Sequence, residues 1–105
     1  MVYTIDELKQ KIAPVAKKYN ISAVYIFGSY ARGEADSNSD VDILIKREGS
    51  KIHGWLMGGL YEDLREILGK GLDILTVEAL EQHNIKEENP SFFENLMKEQ
   101  VQIYG

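Results

Sequence analysis

The chain has 105 residues, 44% of them hydrophobic and 28% charged, with 12 Lys and Arg against 17 Asp and Glu. That length predicts one domain over residues 1–105 with a radius of gyration of roughly 13 Å, enough to bury a core but too short for a catalytic domain plus a dedicated substrate-binding domain. The net charge of −5 argues against direct binding of nucleic acid, the lack of cysteine excludes disulfides, thiolate metal sites and Cys nucleophiles, and no apolar run approaches the roughly 20 residues of a membrane span. Met1 to Glu7 carries neither a basic n-region nor an apolar h-region, so a soluble, acidic, cytoplasmic domain is expected.

No repeat, low-complexity tract or linker divides the chain. Thr4-Ile5-Asp6-Glu7 reads as a capping box, and Ile5, Leu8, Ile12, Val15, Ala16 and Tyr19 recur at helical spacing, predicting a helix over 4–19. Pro14 is expected to kink or split it, because its ring opposes the carbonyl four residues back. Asn20 ends the helix, and Ser22 to Phe27 is a nearly continuous apolar strand, as in a sheet buried on both faces. Residues 29–33 suit a short helical turn and Gly33 to Ser39 a loop, before a second strand over Val41 to Arg47. Leu56, Leu60, Leu64, Ile67 and Leu68 mark a helix over about 55–68, with Gly69 or Gly71 as its stop. Leu72 to Val77 is a third strand, and 78–89 reads as irregular or briefly helical. A last helix opens at Asn89-Pro90-Ser91, with Phe92, Phe93, Leu96, Met97, Val101 and Tyr104 as its apolar stripe. The order α-β-(α)-β-α-β-α predicts an α+β fold, one small mixed sheet with helices packed on it.

Three features bear on chemistry. The first strand runs into Gly28-Ser29, followed by Tyr30-Ala31-Arg32-Gly33. A glycine there lets a phosphate approach the backbone, a helix start would offer free N–H groups, Ser29 adds a hydroxyl and Arg32 a guanidinium; read alone, the pair is an ordinary turn. Asp40 and Asp42 flank Val41 at the entrance of the second strand, and period-two geometry puts both carboxylates on one face. Either Mg²⁺ sits between them or the segment is a solvated strand entrance in which Asp40 caps a turn. Asp73 interrupts the apolar third strand and needs a cation, a metal or exposure at a sheet edge; if strands two and three are neighbours it joins the other two aspartates.

Taken together, Gly28-Ser29, ten residues, Asp40-Val41-Asp42 and a strand-borne Asp73 resemble the minimal nucleotidyltransferases of the DNA polymerase β superfamily. The likeness extends through Phe27-Gly28-Ser29-Tyr30-Ala31-Arg32-Gly33-Glu34-Ala35 and Ser39-Asp40-Val41-Asp42-Ile43-Leu44, and covers nearly the whole chain. It implies a polymerase β-like core whose acidic trio holds two Mg²⁺ ions roughly 4 Å apart, clamping the attacking and leaving oxygens of an in-line displacement. Asp40 and Asp42 would ligate both metals, and Asp73 the one that activates the nucleophile, with a share in accepting its proton. Gly28 N–H and Ser29 would hold the β- and γ-phosphates that leave as pyrophosphate. Arg32 is a second phosphate ligand or a partner for Glu34 or Asp36.

The resemblance also bears on the acceptor. A polymerase or RNA-tailing enzyme needs a basic channel, and the basic pairs here are only Lys17-Lys18 and Lys46-Arg47. Short bacterial and archaeal members of the family are paired with a small helical HEPN ribonuclease toxin, act as its antitoxin, and in some cases move AMP from ATP to a tyrosine of that toxin. The expectation is an MNT-type antitoxin with protein adenylylation as its activity. Two alternatives stand beside it: a transferase for a small molecule or an RNA end, and a non-catalytic module that neutralises a partner by contact. The oligomeric state is left open. His53 and His83 are isolated and lack ligand spacing; Trp55 with Met57, and the Phe92, Phe93 and Tyr104 stripe, suit core or interface; Tyr30 suits packing or stacking on a base.

Overall fold

The computed structural model describes residues 2–47, 56–82 and 84–105; His53, Trp55 and His83, singled out above, lie outside the described residues. Helix α1 spans Ile5–Lys18 and begins with the expected capping box: Glu7 N–H donates to Thr4 Oγ1 at 3.1 Å, and Thr4 N–H donates to Glu7 Oε1 at 2.9 Å. Pro14 does not split this helix. Its ring lies on the exposed side, while Leu8, Ile12, Val15 and Ala16 are buried before and after it, so packing along the apolar face offsets one missing backbone bond. Strand β1 (Ala23–Phe27), the short helix α2 (Gly28–Arg32) and strand β2 (Val41–Lys46) follow where expected. Helix α3 (Leu56–Leu68) stops at Gly69, which takes φ +64° and donates its N–H to Arg65 O at 2.8 Å. After β3 (Leu72–Thr76), the segment expected to be irregular or briefly helical contains α4 (Val77–Gln82) and α5 (Ile85–Glu88).

The C-terminal region departs from the expected single helix. Helix α6 covers Pro90–Glu99, and Val101–Tyr104 is instead a strand, β4, paired antiparallel with β1. Gln100 takes extended φ and ψ of −60° and 142°, which breaks the helix before Val101. Apolar side chains at 101, 103 and 104 fit a strand as well as a helical stripe, and the open edge of β1 decides between them, because its unpaired N–H and C=O groups need a partner. The stripe is also not core throughout: Leu96 is 3% exposed and Phe93 half-buried, but Phe92 and Met97 are 37% and 42% exposed.

The four strands lie in the order β3-β2-β1-β4. β2 runs antiparallel to β1 and parallel to β3, so the sheet is mixed, as expected. On one face Val24, Ile26, Val41, Ile43 and Ile45 join Leu8 and Ile12 of α1 and Leu60 and Leu64 of α3 in one buried cluster, which Met57 also touches. On the other face Leu44 meets α4 to α6, alongside Val77, Leu80 and Phe93. Lys18 Nζ and Tyr19 Oη both donate to Asp63 Oδ2, at 2.9 and 2.7 Å, tying the end of α1 to α3 and holding the Asp63 carboxyl below its usual range. No described helix is long and apolar enough to cross a membrane.

Candidate active site

The register of the sheet assembles the site. Phe27, the last residue of β1, lies opposite Asp42, and Asp42 lies opposite Asp73 on β3. Sequence positions 28, 42 and 73 therefore meet at one end of the sheet. Gly28 takes φ +70° as the chain turns from β1 into α2, and a Cβ on it would stand 2.1 Å from Asp42 Oδ2. Both the backbone conformation and the lack of space require glycine here. The Asp42 carboxylate rests in the notch that this glycine leaves.

The electrostatics follow from the packing. Asp42 is half-buried, whereas Asp40 and Asp73 are exposed. Burial raises the Asp42 carboxyl to about 6, and the neighbouring charges of Asp73 and Asp40, with a hydrogen bond shared with Asp73, push the same way; only the Arg32 charge opposes them. The trio expected from the sequence is thus electrostatically coupled, with Asp42 and Asp73 in contact. Asp40 points to the other side of β2, toward Gly71, where it lines a cavity of about 450 Å³ with Ser39 and Lys70. Among the described residues no three carboxylate or imidazole side chains form a ready-made metal cage. The donor chemistry nevertheless suits a hard divalent cation: three coupled carboxylates, one held at about 6 in want of positive charge.

Gly28, Ser29, Arg32 and Asp42 line a second cavity of about 430 Å³, closed on its far side by Phe92, Asn95, Leu96 and Glu99 of α6. Arg32 pairs with Glu34, as one sequence reading expected, and also with Glu99, its Nη1 donating to Glu99 Oε2 at 3.1 Å. This second pair links α2 to α6 across the cavity. Tyr30 is 5% exposed within the core cluster, so it packs and does not line the cavity. The α6 wall was not foreseen, because a residue 50 positions beyond Asp42 in sequence reaches it only through tertiary folding.

A mixed sheet that ends in Gly-Ser and three neighbouring aspartates defines a nucleotidyltransferase core. Residues 10–105 match the family described as "Polymerase beta, Nucleotidyltransferase", and the chain belongs to it. A Methanocaldococcus jannaschii protein named "Putative protein adenylyltransferase" is 42% identical over 76 residues, 72% of this chain and 81% of that protein. A solved "putative minimal nucleotidyltransferase" superposes with a TM-score of 0.66 at 26% identity, covering 94% of this chain and 95% of that one. The fold is also shared, with a TM-score of 0.64 at 15% identity, over 97% of this chain and 73% of a chain in the complex of a tri-AMPylated Shewanella oneidensis HEPN toxin with an MNT antitoxin. The chain is a nucleotidyltransferase.

Proposed function

We propose that the protein moves AMP from ATP to a hydroxyl on a partner protein, releasing pyrophosphate, and acts as the antitoxin of a HEPN-type toxin whose tyrosine is the acceptor. The observation that carries the reading is Asp42 in contact with Asp73 beside the Gly28-Ser29 turn, with the charge of Asp40 acting on the same carboxyl. The family resemblance supplies nucleotidyl transfer, and the names of its relatives narrow that to adenylyl transfer onto protein.

In this reading Asp40, Asp42 and Asp73 would hold divalent metal, Mg²⁺ and two ions, whose role is to neutralise the phosphates and polarise the reacting oxygens. Gly28 N–H and the Ser29 hydroxyl bind the β- and γ-phosphates, and Arg32 adds a cationic contact once it leaves Glu34 or Glu99. Asp73, exposed at the edge strand, would take the proton of the acceptor hydroxyl as its oxygen attacks the α-phosphorus. The bond from that phosphorus to the bridging oxygen then breaks, and pyrophosphate leaves. Such chemistry belongs in the cytoplasm, where ATP is at hand.

The test is incubation with labelled ATP, Mg²⁺ and the product of the neighbouring gene. The partner should become labelled, and Asp40→Asn or Asp42→Asn should reduce labelling by at least 100-fold in a protein that still folds, since each removes a charged metal ligand. Undiminished labelling by the double variant would overturn the site. Toxin neutralisation that survives the double variant would favour contact alone over catalysis.

A further inference from the structure

Helix α6 presents two different faces. Phe93 and Met97 line an apolar pocket with Val77 and Leu80. Phe92, Asn95, Leu96 and Glu99, spaced i, i+3, i+4 and i+7, form the wall opposite Gly28 and Ser29. Both ends of this wall are pinned. Asn89 Oδ1 accepts the Phe92 N–H at 3.3 Å, and Pro90 opens the first turn. At the other end the chain leaves the helix at Gln100 and Val101 pairs with Ile26, which brings Glu99 close to the end of β1 and to Arg32. A rise of about 1.5 Å per residue then sets Phe92 about 10 Å from Glu99 along the helix axis. The cavity thus has a charged end at Arg32 and Glu99 and, two turns away, an aromatic one at Phe92, which is 37% exposed. Tyr30, the aromatic that the sequence offered for stacking, is buried, and Phe27 adjoins Gly28 at the charged end.

We propose that Phe92 and Asn95 form the base subsite of this cavity: the Phe92 ring stacks on a purine, and the Asn95 amide reads its edge in favour of adenine over guanine. The inference rests on the proposed phosphate contacts at Gly28, Ser29 and Arg32. Asp42 lines the same cavity, so a nucleoside whose α-phosphate lies there emerges inside it, with α6 as the facing wall. A base is apolar on its faces and polar along its edge, and the two exposed side chains match that division. They stand one turn apart on one face of α6, about 5–6 Å between Cβ atoms. Stacking on an aromatic ring tolerates any base, so selectivity falls to Asn95. Its amide can donate to N7 and accept from N6 of adenine, whereas guanine presents two acceptors, N7 and O6, along that edge.

The experiment measures binding of ATP, GTP and inorganic tripolyphosphate to the full chain by calorimetry, each with Mg²⁺. Phe92→Ala should weaken ATP binding at least fivefold and change tripolyphosphate binding less than twofold, while Phe92→Tyr should retain the wild-type affinity for ATP. Asn95→Ala should lower the preference for ATP over GTP at least threefold. Both side chains are exposed, so each variant should melt within a few degrees of the wild type. Unchanged ATP binding by Phe92→Ala, or an equal loss of ATP and tripolyphosphate, overturns the stacking assignment; an unchanged ATP-to-GTP preference in Asn95→Ala overturns the edge reading. Ser29→Ala should weaken ATP and tripolyphosphate alike. If it weakens neither, or if the wild type binds neither ligand, the phosphate contacts themselves are overturned, and this inference with them.

Discussion

At the scale of single residues, Asp42 is where fold and function oppose each other. Its carboxyl sits at about 6 because it is half-buried beside two other aspartates, whereas an unfolded chain would release the proton near 3.8. The folded state therefore binds the proton more tightly than the unfolded one. This group's contribution to the metal-free protein is most favourable below about pH 4, declines as pH rises to about 6, and is level above that. Asp42→Asn should abolish that decline and raise the melting temperature in EDTA at pH 7, read by differential scanning fluorimetry from pH 4 to 8; an unchanged profile would mean that Asp42 is not the group responsible. In the proposed site protons and metal would compete for the same oxygens. The Gly-Ser pair and the aspartates were legible in sequence because their spacing is rigid, but the raised Asp42 carboxyl was not. It depends first on burial of Asp42 in the folded sheet and then on Asp73 arriving from a strand 31 residues further on.

At the scale of elements, hydrophobic periodicity located the helices and three strands well, because each buries a continuous face against one neighbour. It failed at the C-terminus, where Phe92 to Tyr104 reads as one stripe but is a helix followed by an edge strand. The distinction has a measurable consequence. Ile103 is 2% exposed on β4 and belongs to the core, while Met97 on α6 is 42% exposed. Ile103→Ala should cost about 2–5 kcal/mol in urea unfolding, and Met97→Ala no more than about 1 kcal/mol. Similar losses at both positions would restore the single-stripe reading. The same failure hid the α6 wall of the cavity, since the return of the chain to pair with β1 brings α6 beside Gly28 and Ser29.

At the scale of the whole molecule, a chain of net charge −5 is asked to bind a nucleoside triphosphate of like sign. Arg32, which lines the cavity at Gly28 and Ser29, is already paired with two glutamates. In the proposed site the deficit is met by divalent metal, so removing the metal with EDTA should weaken ATP binding at least tenfold by calorimetry, and Mg²⁺ should restore it. Binding that is indifferent to EDTA would exclude metal from nucleotide recognition. What the amino-acid sequence by itself determined is the family, and with it the candidate chemistry, the carboxylates and the glycine turn on which the proposed site rests, all set by residue type and local spacing. What only the tertiary structure decided is the arrangement of that chemistry. β2 pairs antiparallel with β1 and parallel with β3, and those two registers place Gly28 against Asp42, Asp73 beside Asp42, and Gly71 against Asp40. A strand register is a long-range choice made by the burial of whole faces, and a slip of one residue would turn every one of these side chains away.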